Sequence, residues 1–257
     1  GEGCVSLDND ITVLNRNPAG ITGMKGWNTS LMYQRGFADD DYMNIHIGKE
    51  YKGMMLATSI LYYSTGDIEL YKSNGTKVTE VGKRDIIWSV GAARKIWIMP
   101  VGLNLKYISS ELFGKKATAY AFDAGTQYKF SKQINVGLSV KNMGTKIKYL
   151  SKEESLPAAI QAGGNYRKDY KDCRLLVIDD IEYKIKEKEY LNKTGVELEY
   201  LGRYYVRAGC LLNLRERKDR SVDIGIGYKH KKHMIDYSVE LKEGLNIPQR
   251  VTFGYKF

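Results

Sequence analysis

From about Trp27 onward the chain alternates apolar and polar side chains with a period of two. In its last stretch Val251, Phe253, Tyr255 and Phe257 share one face, and Thr252, Gly254 and Lys256 the other. The same phasing holds far upstream. Ile134, Val136, Leu138 and Val140 oppose Asn135, Gly137, Ser139 and Lys141, and Val222, Ile224, Ile226 and Tyr228 oppose Asp223, Gly225, Gly227 and Lys229. Period-two alternation predicts strands with one greasy and one polar face. Here the greasy face is aromatic toward its ends and the polar face rich in glycine, which suits a cylinder whose outside meets lipid. A water-soluble barrel would reverse the two faces.

Turn residues divide the pattern into about fourteen strands: 27–36, 42–51, 53–72, 77–96, 97–112, 117–130, 133–149, 156–167, 173–184, 193–202, 203–214, 220–230, 233–242 and 248–257. Their lengths approach those of tilted membrane-spanning strands. The connections sort by length. Tight ones are expected at Lys52-Gly53, Ile96-Trp97, Ser131-Lys132, Gly202-Arg203 and Lys231-Lys232. Longer ones are expected at Phe37–Asp41, Ser73–Thr76, Phe113–Lys116, Asn142–Ser155, Ile185–Asn192, Arg215–Asp219 and Lys242–Ile247. Short turns at one end and long loops at the other describe an up-and-down barrel rather than a Greek-key sandwich. Asp179 breaks the pattern by falling on an apolar phase, which points to a bulge, a strand rim or a slipped register.

Residues 1–26 lack this alternation. Asp8-Asn-Asp10 and Asn15-Arg-Asn-Pro-Ala-Gly20 form turns, whereas Ile11, Val13, Leu14 and Ile21 call for burial. A barrel of this size is too wide for side chains alone to fill. The expected organisation is therefore a short luminal plug, 1–26, inside an all-β transmembrane barrel, 27–257. Gly1-Glu2-Gly3 shows no basic start or apolar core, so a secretory leader is expected to have been removed or never present.

Composition agrees without deciding the matter. There are 20 Tyr for an interfacial girdle, 26 Gly, and only 4 Pro to interrupt ladders. A mean hydropathy of -0.41 does not argue against the membrane, because only half of each strand faces lipid. The net charge of +10 is spread over strand ends and inward positions; its densest cluster, Lys229–His233, straddles a turn. No nucleic-acid-binding module is recognisable, so no nucleic-acid partner is expected. Cys4, Cys173 and Cys210 are an odd, scattered set without metal-ligand spacing. His46 should point into the lumen, while His230 and His233 flank a turn. No nucleophile elbow or phosphate loop is present, so neither an enzyme nor a cofactor is expected.

Several segments resemble one family. They are Asn17-Pro18-Ala19-Gly20, Tyr63-Ser-Thr-Gly-Asp-Ile-Glu69, Leu105-Lys-Tyr-Ile108, Ala121-Phe-Asp-Ala-Gly-Thr-Gln-Tyr128 and Val136-Gly-Leu-Ser-Val-Lys-Asn-Met-Gly-Thr-Lys146. Together they resemble the PorV/PorQ-type barrels, relatives of the FadL outer-membrane transporters. The resemblance implies a bacterial outer-membrane barrel surrounded by lipid, with Asn17, Pro18, Ala19 and Gly20 in a luminal hatch. It also implies a candidate kink of the third strand at Gly66. The brief hatch and missing long insertions point to the PorV/PorQ side, an accessory to protein export that contacts secreted cargo or a translocon. A FadL-like channel for a hydrophobic ligand and a structural scaffold are the alternatives. The candidate partner loop is 142–155, with Lys146, Lys148, Lys152, Glu153 and Glu154.

Overall fold

A computed structural model describes residues 3–37, 40–71, 76–149, 152–216, 220–242 and 247–257. The strands are β1 Trp27–Arg35, β2 Asp41–Tyr51, β3 Met54–Ser64, β4 Asp67–Tyr71, β5 Lys77–Val81, β6 Lys83–Ile96, β7 Met99–Leu112, β8 Lys115–Lys129 and β9 Ile134–Gly144. There follow β10 Ile147–Tyr149, β11 Lys152–Glu154, β12 Ala159–Asp169, β13 Cys173–Lys184, β14 Glu189–Tyr200, β15 Tyr204–Asn213, β16 Arg220–His230, β17 His233–Leu241 and β18 Gln249–Lys256. Fourteen of them close into one barrel, ordered β1-β18-β17-β16-β15-β14-β13-β12-β9-β8-β7-β6-β3-β2. Every neighbouring pair is antiparallel, and the last strand pairs with the first from Asn28↔Lys256 to Arg35↔Gln249. Closure leaves no free edge, which a wall in hydrocarbon requires.

Which side faces out is settled by burial. Ile45, Val90, Leu105, Leu138, Val206 and Ile226 are exposed on the outer face, whereas Ser59, Asn104, Asp123, Gln127, Gln161 and Asp180 are buried within. An apolar surface wrapping a whole cylinder is far larger than a water-soluble monomer tolerates. Aromatic side chains gather toward the rims of that surface, including the ring pairs Tyr204–Tyr228 at 5.4 Å and Tyr183–Tyr190 at 4.7 Å. Near the short-turn rim the Lys49 ammonium sits 4.8 Å from the Trp27 ring centroid, and that of Lys168 sits 5.2 Å from Tyr170. This placement suits a band between acyl chains and head groups.

The expected tight turns all fall at one end. Lys52-Gly53, Trp97-Ile98, Leu201–Arg203 and Lys231-Lys232 reverse the chain there, and Lys52, Trp97, Leu201 and Lys231 each take the positive φ that such turns demand. Three expectations need correction. Phe113-Gly114, expected within a longer loop, is a two-residue turn with φ of 47° and 70°. The third strand does not run through 72: β3 stops at Ser64, and Gly66, at φ 73°, lies beyond it. β4 pairs with β5 outside the barrel sheet but in the register of β3 and β6, from Ser64↔Arg84 to Asp67↔Val81, and Gly82 N donates to Gly66 O at 3.0 Å between them. Gly66 thus marks a break within one long hairpin, where the regular strand lapses and resumes. Likewise β9 ends at Gly144, and residues 147–154 form the hairpin β10–β11, so the connection 65–82 outreaches 145–158. The expected connections at Phe37–Asp41, Ser73–Thr76, Arg215–Asp219 and Lys242–Ile247 lie partly outside the described residues.

Asp179 is neither a bulge nor a rim. It faces outward at mid-strand, where its Oδ1 accepts from Asn192 Nδ2 at 2.9 Å and Thr194 Oγ1 at 2.6 Å. A lipid-facing carboxylate is tolerated because neighbours on the next strand satisfy it.

Candidate permeation lumen

Residues 3–26 fold as two short 3₁₀ turns, Ile11–Asn15 and Pro18–Ile21, against the inner wall. Each turn opens on its own cap: Asp10 Oδ1 accepts from Thr12 N, and Asn17 Oδ1 from Ala19 N at 3.1 Å. The wall makes room with glycine. A Cβ at Gly102 would overlap the Pro18 carbonyl carbon, and one at Gly125 the Asn17 carboxamide. Gly48, Gly91 and Gly137 face Ile11, Leu14 and Val5 in the same way. Ile11, Val13, Leu14, Ile21 and Met24 then bury together with Met55, Ala57 and Ala93 of the wall.

Polar side chains of the wall bond the segment's backbone. Gln127 Nε2 donates to the carbonyls of Val5 at 3.1 Å and Leu7 at 2.6 Å, and Asn135 and Asn165 both donate to that of Ser6. Asp180 Oδ2 accepts from the amides of Cys4 at 2.5 Å and Val5 at 2.9 Å. Asn17 Nδ2 donates to Val5 O at 2.6 Å and Thr126 O at 3.2 Å. Buried groups of an irregular segment are satisfied in this way where no helix or sheet supplies partners.

Charge fastens one end. Asp8 lies 2.9 Å from Lys129 Nζ and 3.3 Å from Arg167. Burial opposes its ionisation, but the two cations outweigh that and hold its carboxyl below the usual range. A depressed folded pKa makes this contribution complete above the unfolded value of ~3.9 and lost as pH falls through the folded one. Hydrogen exchange at the amides of residues 5–10 should therefore quicken on acidification below about pH 4. Asp8→Asn should exchange quickly at neutral pH and lose that dependence. Equal protection in both proteins would dismiss the clamp.

Two inward rows cross β1, β2, β3, β6, β7 and β8 above the segment. The lower is polar from β1 to β7, Ser30↔His46↔Ser59↔Ser89↔Lys106, and ends on Ala121 of β8. One step toward the long loops the row becomes apolar except for Asn44: Met32, Leu61, Ile87, Ile108 and Ala119. Ile147 of β10 and Leu156 are buried against Ile108 and Ala119 from above, with Ile87 and Tyr149 packed alongside. Below this layer Lys106 Nζ lies 2.7 Å from Asp123 Oδ2, and Glu182 Oε2 takes Lys141 at 2.7 Å and Lys193 at 2.9 Å. A bulge opposite Asp123 brings in Asn142, at φ 55°, whose amide donates to Asp123 Oδ1. The segment covers only one side of the bore. A cavity of about 960 Å³ remains in the lumen, lined by β1 and β15–β18, by Leu61 and Ile87 of the apolar row and by the segment itself.

The residues expected to matter are thus distributed unevenly. Asn17, Pro18, Ala19 and Gly20 are buried together against β7 and β8, and His46 is buried in the polar row. Gly66 lies at the break between β3 and β4, its carbonyl accepting from Gly82 N at 3.0 Å. Lys146 and Lys148 approach Glu153 within the β10–β11 hairpin at 3.5 and 4.0 Å, so these charges answer one another. Glu154 has a polar partner of its own, and the side chain of Lys152 lies outside those described. Sequence reading missed the glycine seat, the Lys106–Asp123–Asn142 cluster and the apolar row. The only advance signal for the seat was glycine recurring on the inward phase of successive strands.

No family model matches the chain, and no curated protein matches it. Solved structures do. The toluene transporter TodX of Pseudomonas putida superposes with a TM-score of 0.71 at 11% identity, covering 100% of this chain and 96% of that one. TbuX, the toluene transporter of Ralstonia pickettii, gives 0.68 at 11% identity over 100% and 96%. A FadL homologue of Pseudomonas aeruginosa gives 0.63 at 10% identity over 99% and 96%. At such identities the likeness is one of fold: a closed fourteen-stranded antiparallel barrel of the FadL outer-membrane type.

Proposed function

We propose that the chain is a bacterial outer-membrane channel of FadL type that admits small hydrophobic molecules, with residues 1–26 as its hatch. The carrying observation is the inward apolar group Met32, Leu61 and Ile87, which lines the free cavity at the long-loop end of a largely polar lumen. Apolar groups turned inward at the mouth offer a hydrophobic solute a first site. The transport named for TodX and TbuX supports the same substrate class. The export-accessory reading rests on the sequence resemblance alone.

Cells expressing the barrel should take up radiolabelled toluene severalfold faster than cells carrying Ile87→Asn at equal amounts of folded protein. Equal uptake would remove the reading. So would recovery of a stoichiometric secreted protein with the barrel from native membranes, which would favour the export role.

A further inference from the structure

The basic turn at 229–233 stands at the foot of a groove on the barrel's outer face, across the seam where β1 meets β18. The groove has a volume of about 520 Å³. Two outward rows line it. One runs Ile47, Thr29, Tyr255, His233 and His230, and the other Ile45, Leu31, Phe253, Ile235 and Tyr228. Thr29 makes the recess. Its outward neighbours along β1 are Trp27 and Leu31, and its own Oγ1 turns back to donate to the Tyr255 carbonyl at 3.4 Å.

The groove is inclined to the rim. At β16 and β17 its first row ends on the pair that flanks the short turn, His230↔His233, whereas β2 still has residues 48–51 to run before its own turn. At about 3.4 Å per residue the row climbs about 14 Å along the strands. From β16 to β2 it crosses four interstrand spacings, about 19 Å, against about 15 Å for one leaflet, half of a hydrocarbon core.

The two ends differ in chemistry. At the foot His230 and His233 are exposed, and Lys231 is exposed in the turn between them. Aromatic neighbours hold the imidazoles: His230 stacks on Tyr228 with ring centroids 6.4 Å apart, and His233 meets Tyr255 edge-on at 4.7 Å. Among the described residues no carboxylate pairs with any of the three. The far end, at Leu31, Ile45 and Ile47, is aliphatic. An apolar trough that begins on an ammonium and two imidazoles complements an anionic head joined to a hydrocarbon tail. Short turns of outer-membrane barrels face the periplasm, so the lipid at this rim belongs to the periplasmic leaflet.

We propose that the groove is a binding site for one phospholipid. Lys231, His230 and His233 hold its phosphate, and an acyl chain crosses the seam over Thr29 to reach Ile45 and Ile47. The inference rests on the outer face meeting lipid and not on what the lumen admits.

The test is native mass spectrometry of the folded barrel, stripped of bulk lipid in detergent and supplied with dipalmitoyl phosphatidylglycerol. One retained lipid per barrel is expected. Thr29→Trp should fill the recess and lower the occupancy severalfold. Lys231→Asn combined with His230→Phe and His233→Phe should do the same, because it keeps the turn and the rings but removes the donors. Leu138→Trp, on the outer face of β9 away from the groove, should leave the occupancy unchanged. Dipalmitoylglycerol, which has the chains without the phosphate, should be retained severalfold less, and inorganic phosphate should not displace the phospholipid. A barrel that retains no lipid overturns the proposal. So does an occupancy as high in Thr29→Trp or the triple variant as in Leu138→Trp, equal retention of the two lipids, or displacement by inorganic phosphate. Toluene uptake reads the lumen and lipid occupancy reads the groove, so the two readings fail in different assays.

Discussion

Replacing Asn17 by leucine should free the amino-terminal segment from the wall. The two side chains share a branched shape, but leucine is bulkier, so the change removes hydrogen bonds and crowds the seat at Gly125. Val5 O, Thr126 O and Ala19 N each lose a partner; Val5 O keeps the Gln127 side chain, and Thr126 lies within a strand paired on both sides. Leaving a buried backbone group unsatisfied costs about 1–3 kcal/mol, and Ala19 N is left so. Limited proteolysis of the reconstituted barrel should cut within residues 3–26 in Asn17→Leu and leave the unaltered protein whole. Asn17→Asp should fall between them, since it keeps the acceptor for Ala19 N but turns an oxygen toward two carbonyls. If the leucine variant resists cleavage as well as its parent, Asn17 does not hold the segment.

Leu105→Arg should destabilise the barrel in a bilayer by about 2–4 kcal/mol, the cost of a cation on the lipid face near the midplane. Leu105 is 66% exposed at the middle of β7, flanked across the strands by Val90 and Phe122. Its chain neighbour Lys106 carries a charge comfortably, because it points the other way and meets Asp123 at 2.7 Å. On a water-soluble protein, an exposed leucine exchanged for arginine would be close to neutral. Urea unfolding in lipid vesicles, followed by the gel shift between folded and unfolded forms, reads the difference. A neutral outcome would mean that this face does not meet hydrocarbon.

Much of the architecture was legible because it is written locally. Alternation at Ile134–Val140 or Val222–Tyr228 needs no distant partner to be read as a two-faced strand, and the tight turns fall between strands read in this way. Errors arose where alternation outlasts the barrel. Residues 67–71 and 77–81 continue both the strand pattern and the β3–β6 register, yet they pair only with each other, beyond the break at Gly66. Local patterning cannot tell a strand that joins the cylinder from one that pairs outside it. Asp179 misled in the opposite sense. It broke the pattern without breaking the strand, because Asn192 and Thr194 lie beside it on β14.

The lumen was less legible than the wall. Glycine on inward phases was visible, but its purpose depends on which strands stand next to one another. Gly102 and Gly125 are opposed across β7 and β8, and only that adjacency creates a recess for Pro18 and Asn17. The Lys106–Asp123–Asn142 cluster draws on three strands and a register shift that no single strand announces.

The amino-acid order alone therefore determined a closed two-faced sheet, its number of passes and the irregular segment that precedes it. These follow from backbone periodicity and from the burial demanded by apolar groups. Tertiary structure alone decided where that segment rests, which side of the bore stays open and where the ladder ends. Those outcomes depend on cross-strand register, which brings together residues far apart in the chain.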